Sequence, residues 1–179
     1  MLVPQKNGLK MSKKVVIISS SPRKGGNSDK LCDEFFKGAT DAGHNAVKYF
    51  LEDIEFSSCK ACYKCKTPEM KCFQSDGISE ILENMLDADV IVYATPVYYF
   101  EMCGTLKMFF DRCYPIFRHL ENQDYYIILA AGSYSGDALT GIRSFINFSR
   151  NPTEKEVLEV FGNVSSGELK KAYDAGYNS

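Results

Sequence analysis

Charge of either sign is nearly balanced in this 179-residue chain, where 21 Lys and Arg stand against 23 Asp and Glu. A net charge of −2 gives general nucleic-acid binding no electrostatic support. It is also less acidic than expected of an electron carrier that docks by charge. Long apolar runs are missing. None approaches the about 18 residues that suggest a membrane span, so no membrane partner is expected. Histidine is scarce: His44 and His119 are far apart, and neither has a metal-ligand partner at short spacing. No Ser-His-Asp set is suggested by motif. Two nucleotide signatures are absent as well. Without G-x-x-x-x-G-K-[ST] a triphosphate loop is unsupported, and without G-x-G-x-x-G so is a dinucleotide-binding turn. The opening MLVPQKNGLK lacks the apolar core of a signal peptide, and residues 1–12 read as a flexible leader. The cysteines number seven, an odd count. A secreted disulfide scaffold would be smaller and evenly counted, so a reducing cytoplasm is the expected setting.

What is present is an alternation. Short apolar runs at Val15 to Ser19, Ala46 to Phe50, Val90 to Ala94, Tyr125 to Ala131 and Val157 to Val164 predict five strands. The first, third and fourth are nearly continuous, as strands buried on both faces are. Helical stretches lie between them. Asn27 to Ala42 has Leu31, Phe35 and Ala39 on one stripe and ends at Gly43. Asp76 to Leu86, Gly104 to Leu120 (with Pro115 as a break), Gly136 to Phe148 and Glu168 to Tyr173 complete the set. Strand alternating with helix predicts an α/β fold, a flavodoxin-like doubly wound parallel sheet of order 2-1-3-4-5. One domain is expected over 13–179, with one irregular Cys-rich loop at 54–75.

The stretch SSSPRKGGNS, Ser19 to Ser28, begins where the first strand ends and runs into a helix N-terminus. A helix N-terminus presents unpaired N–H groups and the positive end of a dipole. Glycines such as Gly26 let the backbone approach an anion, Ser and Asn add neutral donors, and Arg23 adds a charged fork. These features point to a phosphate held without a metal. A plainer reading is a polar loop whose Asn27 or Ser28 caps the helix. A second stretch, ATPVYYFEMCGTLKMFFDR, follows the third strand. Its proline turn and aromatic residues form a flat apolar wall of the kind a planar heterocycle needs. In the 2-1-3-4-5 order the two stretches sit side by side. A phosphate joined to a flat ring, with no second nucleotide, describes FMN.

The motif S-x-R-x-x-x-N-S, followed by T-P-V-Y-Y and L-K-x-F-x-D-R, resembles the NAD(P)H-dependent FMN reductase family from about Lys14 to the C-terminus. The resemblance implies non-covalent FMN and an enzyme that passes hydride from NAD(P)H to FMN and then to a small acceptor. It also implies homodimers or homotetramers that complete the flavin site. By position, Ser21, Arg23, Asn27 and Ser28 would hold the phosphate, with Ser19 and Gly26 from the same loop. Pro96, Val97, Tyr98 and Tyr99 would line the ring. Gly132 and Ser133 would meet it from a third loop, although AAGSYSGDALTG departs from the family's usual glycine-rich run.

Cys59, Cys62, Cys65 and Cys72 form C-x2-C-x2-C-x6-C, a spacing similar to that of the iron–sulfur flavoproteins. Three readings stand: a [4Fe–4S] cluster, a tetrahedral zinc site, or thiols with no metal. The cluster would favour an electron carrier between protein partners over a reductase. Without metal the loop is expected to be floppy, since few of its residues offer apolar packing. Cys32, Cys103 and Cys113 are assigned to packing. The acceptor, and the choice between NADH and NADPH, are not fixed by the residues.

Overall fold

The apolar runs become the centre of one parallel sheet in the computed structural model, which describes residues 11–69 and 71–179. Residues 1–10 of the expected leader lie outside the described residues. The strands are β1 (Lys14–Ser19), β2 (Asn45–Phe50), β3 (Val90–Tyr98), β4 (Glu101–Met102), β5 (Asp124–Ala131) and β6 (Thr153–Phe161). The order β2-β1-β3-β5-β6 is the predicted doubly wound order once β4 is set aside. That sixth strand pairs antiparallel with the end of β3 and has only two residues, too few to show any periodicity. The last strand also starts earlier than its apolar run. Thr153 to Glu156 are exposed and polar, which suits an edge strand.

Continuous apolar strands arise because successive side chains point to opposite faces, and both faces are covered. Val15, Ile17, Val90 and Val92 pack with α1 (Asn27–Asp41) and α5 (Ser166–Tyr177). Val16, Ile18, Ile91 and Tyr93 pack with α2 (Ile78–Leu86), α3 (Gly104–Arg112) and α4 (Ala138–Ile146). Helix α3 stops at Arg112, three residues before Pro115, and the chain continues in turns to Leu120. Helix α5 runs past the expected Glu168 to Tyr173 at both ends; its earlier start at Ser166 is set by the capping box of Ser165 and Glu168. Between α1 and α5 the backbones touch. A Cβ on Gly38 would lie 2.0 Å from Tyr173 O, and one on Gly176 would lie 2.1 Å from Phe35 O. No helix among the described residues is long and apolar enough to cross a membrane.

Candidate functional site

The C-terminal ends of β1, β3 and β5 open into three loops around a cavity of about 200 Å³. In a doubly wound sheet this is the switch point, where ligands bind. From the first loop Ser21, Arg23, Gly26, Asn27 and Ser28 line it; from β3 come Pro96, Val97 and Tyr98; Gly132 follows β5. Nine residues singled out from the sequence are thereby brought together. Ser19, Tyr99 and Ser133 are not among the lining residues. Ser19 is fully buried, and its hydroxyl donates to Asp29 Oδ1 at 2.9 Å, so it supports the loop from beneath. Tyr99 and Ser133 are exposed outside the cavity. Ala130, Ala131 and Gly162 also line the cavity, and no motif in the sequence marks them. Gly162 sits at the turn after β6, and its carbonyl accepts a hydrogen bond from Asn27 Nδ2.

The first loop folds on itself. Ser21 Oγ donates to Arg23 O at 2.8 Å, and Gly26 N–H donates to the same carbonyl at 3.0 Å. Neither Asn27 nor Ser28 caps α1. The N-cap is Gly26, with no side-chain cap. The plainer reading of this loop therefore fails on geometry, and the first turn of α1 keeps its amides uncapped by any side chain. A Cβ at position 26 would stand 2.8 Å from Ser21 Oγ and 3.1 Å from Arg23 O, so only bare backbone fits there. An uncapped helix N-terminus, a backbone cradle and a guanidinium form a donor set that fits a phosphate.

Loops one and two are stitched together. Ser20 Oγ donates to Ala94 O at 2.7 Å, and the Cys103 thiol contacts Ser20 O and Ser20 Oγ, each at 3.2 Å. Cys103 N–H donates to Thr95 Oγ1 at 3.0 Å. Beyond this stitch, Val97 pairs with Met102 and Tyr98 with Glu101, leaving Tyr99 and Phe100 as a two-residue hairpin turn. Both have positive φ, 52° and 66°. Tight hairpins of this kind normally use Asn and Gly, and two bulky aromatics here are strained. Neighbouring groups hold the turn in place: Asp137 N–H donates to Phe100 O at 2.7 Å, and Gly136, with φ +58°, lies flat against Phe100. Tyr98, Tyr99, Phe100 and Tyr134 form an exposed aromatic edge beside the cavity. Backbone strain at an exposed aromatic turn commonly marks a ligand or partner surface.

The four-cysteine loop is less open-ended than its composition suggests. Arg112, whose side chain is fully buried, forks onto Asp76 at 2.6 and 2.9 Å. It also donates to Ser57 O at 2.7 Å and to Cys72 Sγ at 3.3 Å. Burial alone would lower the Arg112 pKa, but the bonds to Asp76 and Cys72 outweigh it and raise it. Burial would likewise raise Asp76, yet Arg112 holds its carboxyl below the ordinary carboxylate value. Ile54, Phe56 and Cys72 pack against the core. The expectation of an unanchored loop is thus corrected: a buried guanidinium fastens it from both ends. The fork was hidden because Arg112 sits in a helix forty residues downstream of Cys72.

Cys59 and Cys62 are exposed, while Cys65 and Cys72 are half-buried. Ala61 and Tyr63 adopt positive φ between the cysteines, and Ala61 N–H donates to Cys59 Sγ at 3.4 Å. Burial pushes the Cys65 thiol up, and Cys72, Cys59 and Cys62 add to that shift. All four cysteines belong to one segment of the sequence, Cys59 to Cys72. They are not gathered into a ligand set, since no group of three or more His, Cys, Asp or Glu able to hold a metal ion is found among the described residues. A larger cavity of about 910 Å³ opens between residues 53–64 and 73–80, with Cys62, Lys60 and Lys64 in its wall. Cys32, Cys103 and Cys113 are all buried, as packing residues are.

Comparison with known proteins agrees with this geometry. Residues 13–147 match the model of the NADPH-dependent FMN reductase family. An iron–sulfur flavoprotein of Methanocaldococcus jannaschii is 35% identical over 137 residues, which cover 75% of this chain and 70% of that protein. An iron–sulfur flavoprotein of Methanosarcina thermophila is 37% identical over 99 residues, 55% of this chain, so the chain spans about half of it, 51%. Among solved structures, an NAD(P)H:quinone oxidoreductase from Methanothermobacter marburgensis superposes with a TM-score of 0.69 at 21% identity. The superposition covers 94% of this chain and 96% of that one, and it shows the fold. The uncapped loop at the switch point, the matched family model and these relatives lead to one assignment: the chain belongs to the NADPH-dependent FMN reductase family of flavin oxidoreductases.

Proposed function

We propose that the chain binds FMN without a covalent link and transfers electrons from NAD(P)H to a small-molecule acceptor such as a quinone. One observation supports this above the others: three loops converge on a single cavity whose donors fit a phosphate and whose rim is aromatic. When bound, FMN would accept a hydride from reduced nicotinamide and return the electrons to the acceptor. Arg23, Ser21, Asn27 and Ser28, with the backbone at Gly26, would hold the phosphate. Pro96, Val97 and Tyr98 would form the wall beside the ring, and Gly132, with open space around it, would leave room on the third side. The cavity of about 200 Å³ is smaller than the roughly 300–1,000 Å³ that encloses a whole ligand of this size. It therefore suits the phosphate end, with the ring resting along the exposed aromatic edge. A second copy of the chain covering that edge, in a homodimer or homotetramer, would exclude water from the flavin. The expected setting is the cytoplasm.

The test is direct. Purified protein is loaded with FMN, and flavin absorbance is followed on mixing with NADH or NADPH. Rapid bleaching, and turnover on adding a quinone, are the expected results. Inertness to both nucleotides would refute the reductase. In Arg23→Ala, loss of a charge-assisted hydrogen bond of about 1.5–3 kcal/mol should weaken FMN about ten- to a hundredfold.

A second reading, an electron carrier with a [4Fe–4S] cluster, is supported by the compact C-x2-C-x2-C-x6-C spacing and by the iron–sulfur flavoproteins among the relatives above. Cys59, Cys62, Cys65 and Cys72 would be the ligands, after the loop closes further than it does here. Iron and acid-labile sulfide analysis on protein prepared without oxygen decides it. About four of each per chain supports the cluster, and absence of both removes it.

A further inference from the structure

An acid occupies the first turn of the helix that carries the phosphate loop. Asp29 is only 3% exposed. Its carboxylate accepts hydrogen bonds from Ser19 Oγ at 2.9 Å and from Gly25 N–H at 2.8 Å. Gly25 adjoins Gly26, which lines the cavity. A negative charge one residue from an anion site opposes the anion, unless it is neutralised. Lys48, in the middle of β2, reaches Asp29 Oδ1 with its ammonium at 2.6 Å and also pairs with Asp33. Burial would raise the Asp29 carboxyl, but the bonds from Lys48, Gly25 and Ser19 outweigh it and keep the group ionised. Asp29 is thus a charged brace. It shapes the loop through a backbone N–H and a hydroxyl, and its charge is cancelled from a different element of the sheet.

We propose that Lys48 is a positioning residue of the phosphate site: it neutralises Asp29, so that this carboxylate can hold the loop without repelling a bound phosphate dianion. The inference rests on the reading of this loop as the FMN-phosphate site. A purely structural ion pair would hold the loop equally for any flavin. A charge-balancing role instead predicts an effect confined to ligands that carry the phosphate. FMN and riboflavin differ only by that group, so the comparison separates the two.

The full chain, freed of flavin, is titrated with FMN and with riboflavin by quenching of flavin fluorescence. Wild type is measured first. Equal affinity for the two flavins would overturn the phosphate reading and this inference with it. In Lys48→Met, the FMN Kd is expected to rise about tenfold or more, while the riboflavin Kd stays within about twofold. Adding Asp29→Asn to Lys48→Met removes the uncancelled charge and should restore most of the FMN affinity. Equal weakening of both flavins, no weakening of either, or no recovery in the double variant overturns the proposal. Should Lys48→Met fail to fold, Lys48→Gln carries the same expectation, because it keeps a donor to Asp29 and drops the charge.

Discussion

Arg112→Met removes the guanidinium that fastens the cysteine loop and leaves a shorter apolar stem. Asp76 then loses both arms of its fork, and Ser57 O and Cys72 Sγ lose a donor. Breaking a buried pair from one side costs about 3–5 kcal/mol. The Asp76 side chain keeps 13% of its exposure and can regain water, which places the cost near the lower end, about 3 kcal/mol. For a domain of this size about 2–4 °C are lost per kcal/mol, so the melting temperature should fall by about 6–12 °C. The loss should also be local. Limited proteolysis is expected to cut within residues 57–75 in the variant well before wild type is cleaved. Arg112→Lys should recover only part of the loss, because an ammonium cannot fork onto a carboxylate. The pair also has a pH signature. Asp76 titrates below its ordinary value of 3.8, so its contribution is complete above that value and is lost as pH falls through the lower folded value. Arg112→Met should flatten that acid limb. A variant that melts within about 2 °C of wild type, with unchanged cleavage, would show that the fork does not anchor the loop.

Gly26→Ala should abolish tight FMN retention on dialysis while leaving the fold intact, because its Cβ would stand 2.8 Å from Ser21 Oγ in the cradle proposed for the phosphate. Retained flavin at wild-type affinity would contradict the cradle. Gly136→Ala places a Cβ 2.3 Å from Phe100 O at a positive φ. It should displace the Tyr99–Phe100 turn, costing about 1–3 kcal/mol of stability, read by denaturant titration against wild type. Sedimentation of the FMN-loaded protein at micromolar concentration should show a dimer or larger species through the Tyr98–Phe100 edge. A monomer would refute that arrangement.

The sheet was legible because both faces are covered, so Val15 to Ile18 and Val90 to Tyr93 read as unbroken apolar runs. The cavity-lining part of the first loop was legible because SSSPRKGGNS can fill no core. What escaped detection depends on contacts between distant segments. Ser19 resembles its neighbours in sequence, yet its partner is Asp29 beneath the loop. Asp29 and Lys48 look like ordinary surface charges on a helix and a strand until the register of β2 against β1 brings them together. Strand β4 is too short to leave a pattern, and the strained turn it closes carries aromatics where turn-forming residues would be expected. Gly162 follows β6 by one residue and reaches the cavity only through the crossover that places β6 beside β5.

The contact between α1 and α5 bears on how this protein would tolerate variation. Where Gly38 and Gly176 meet the opposing backbone, no larger residue fits without driving the two helices apart. The N-terminus of α1 lines the cavity through Asn27 and Ser28, and Gly38 lies eleven residues further along the same helix. A rigid rod displaced at one end moves at the other. In a library of random variants screened by flavin colour, pale clones should therefore map not only to the loops around the cavity but also to these two glycines, neither of which lines it.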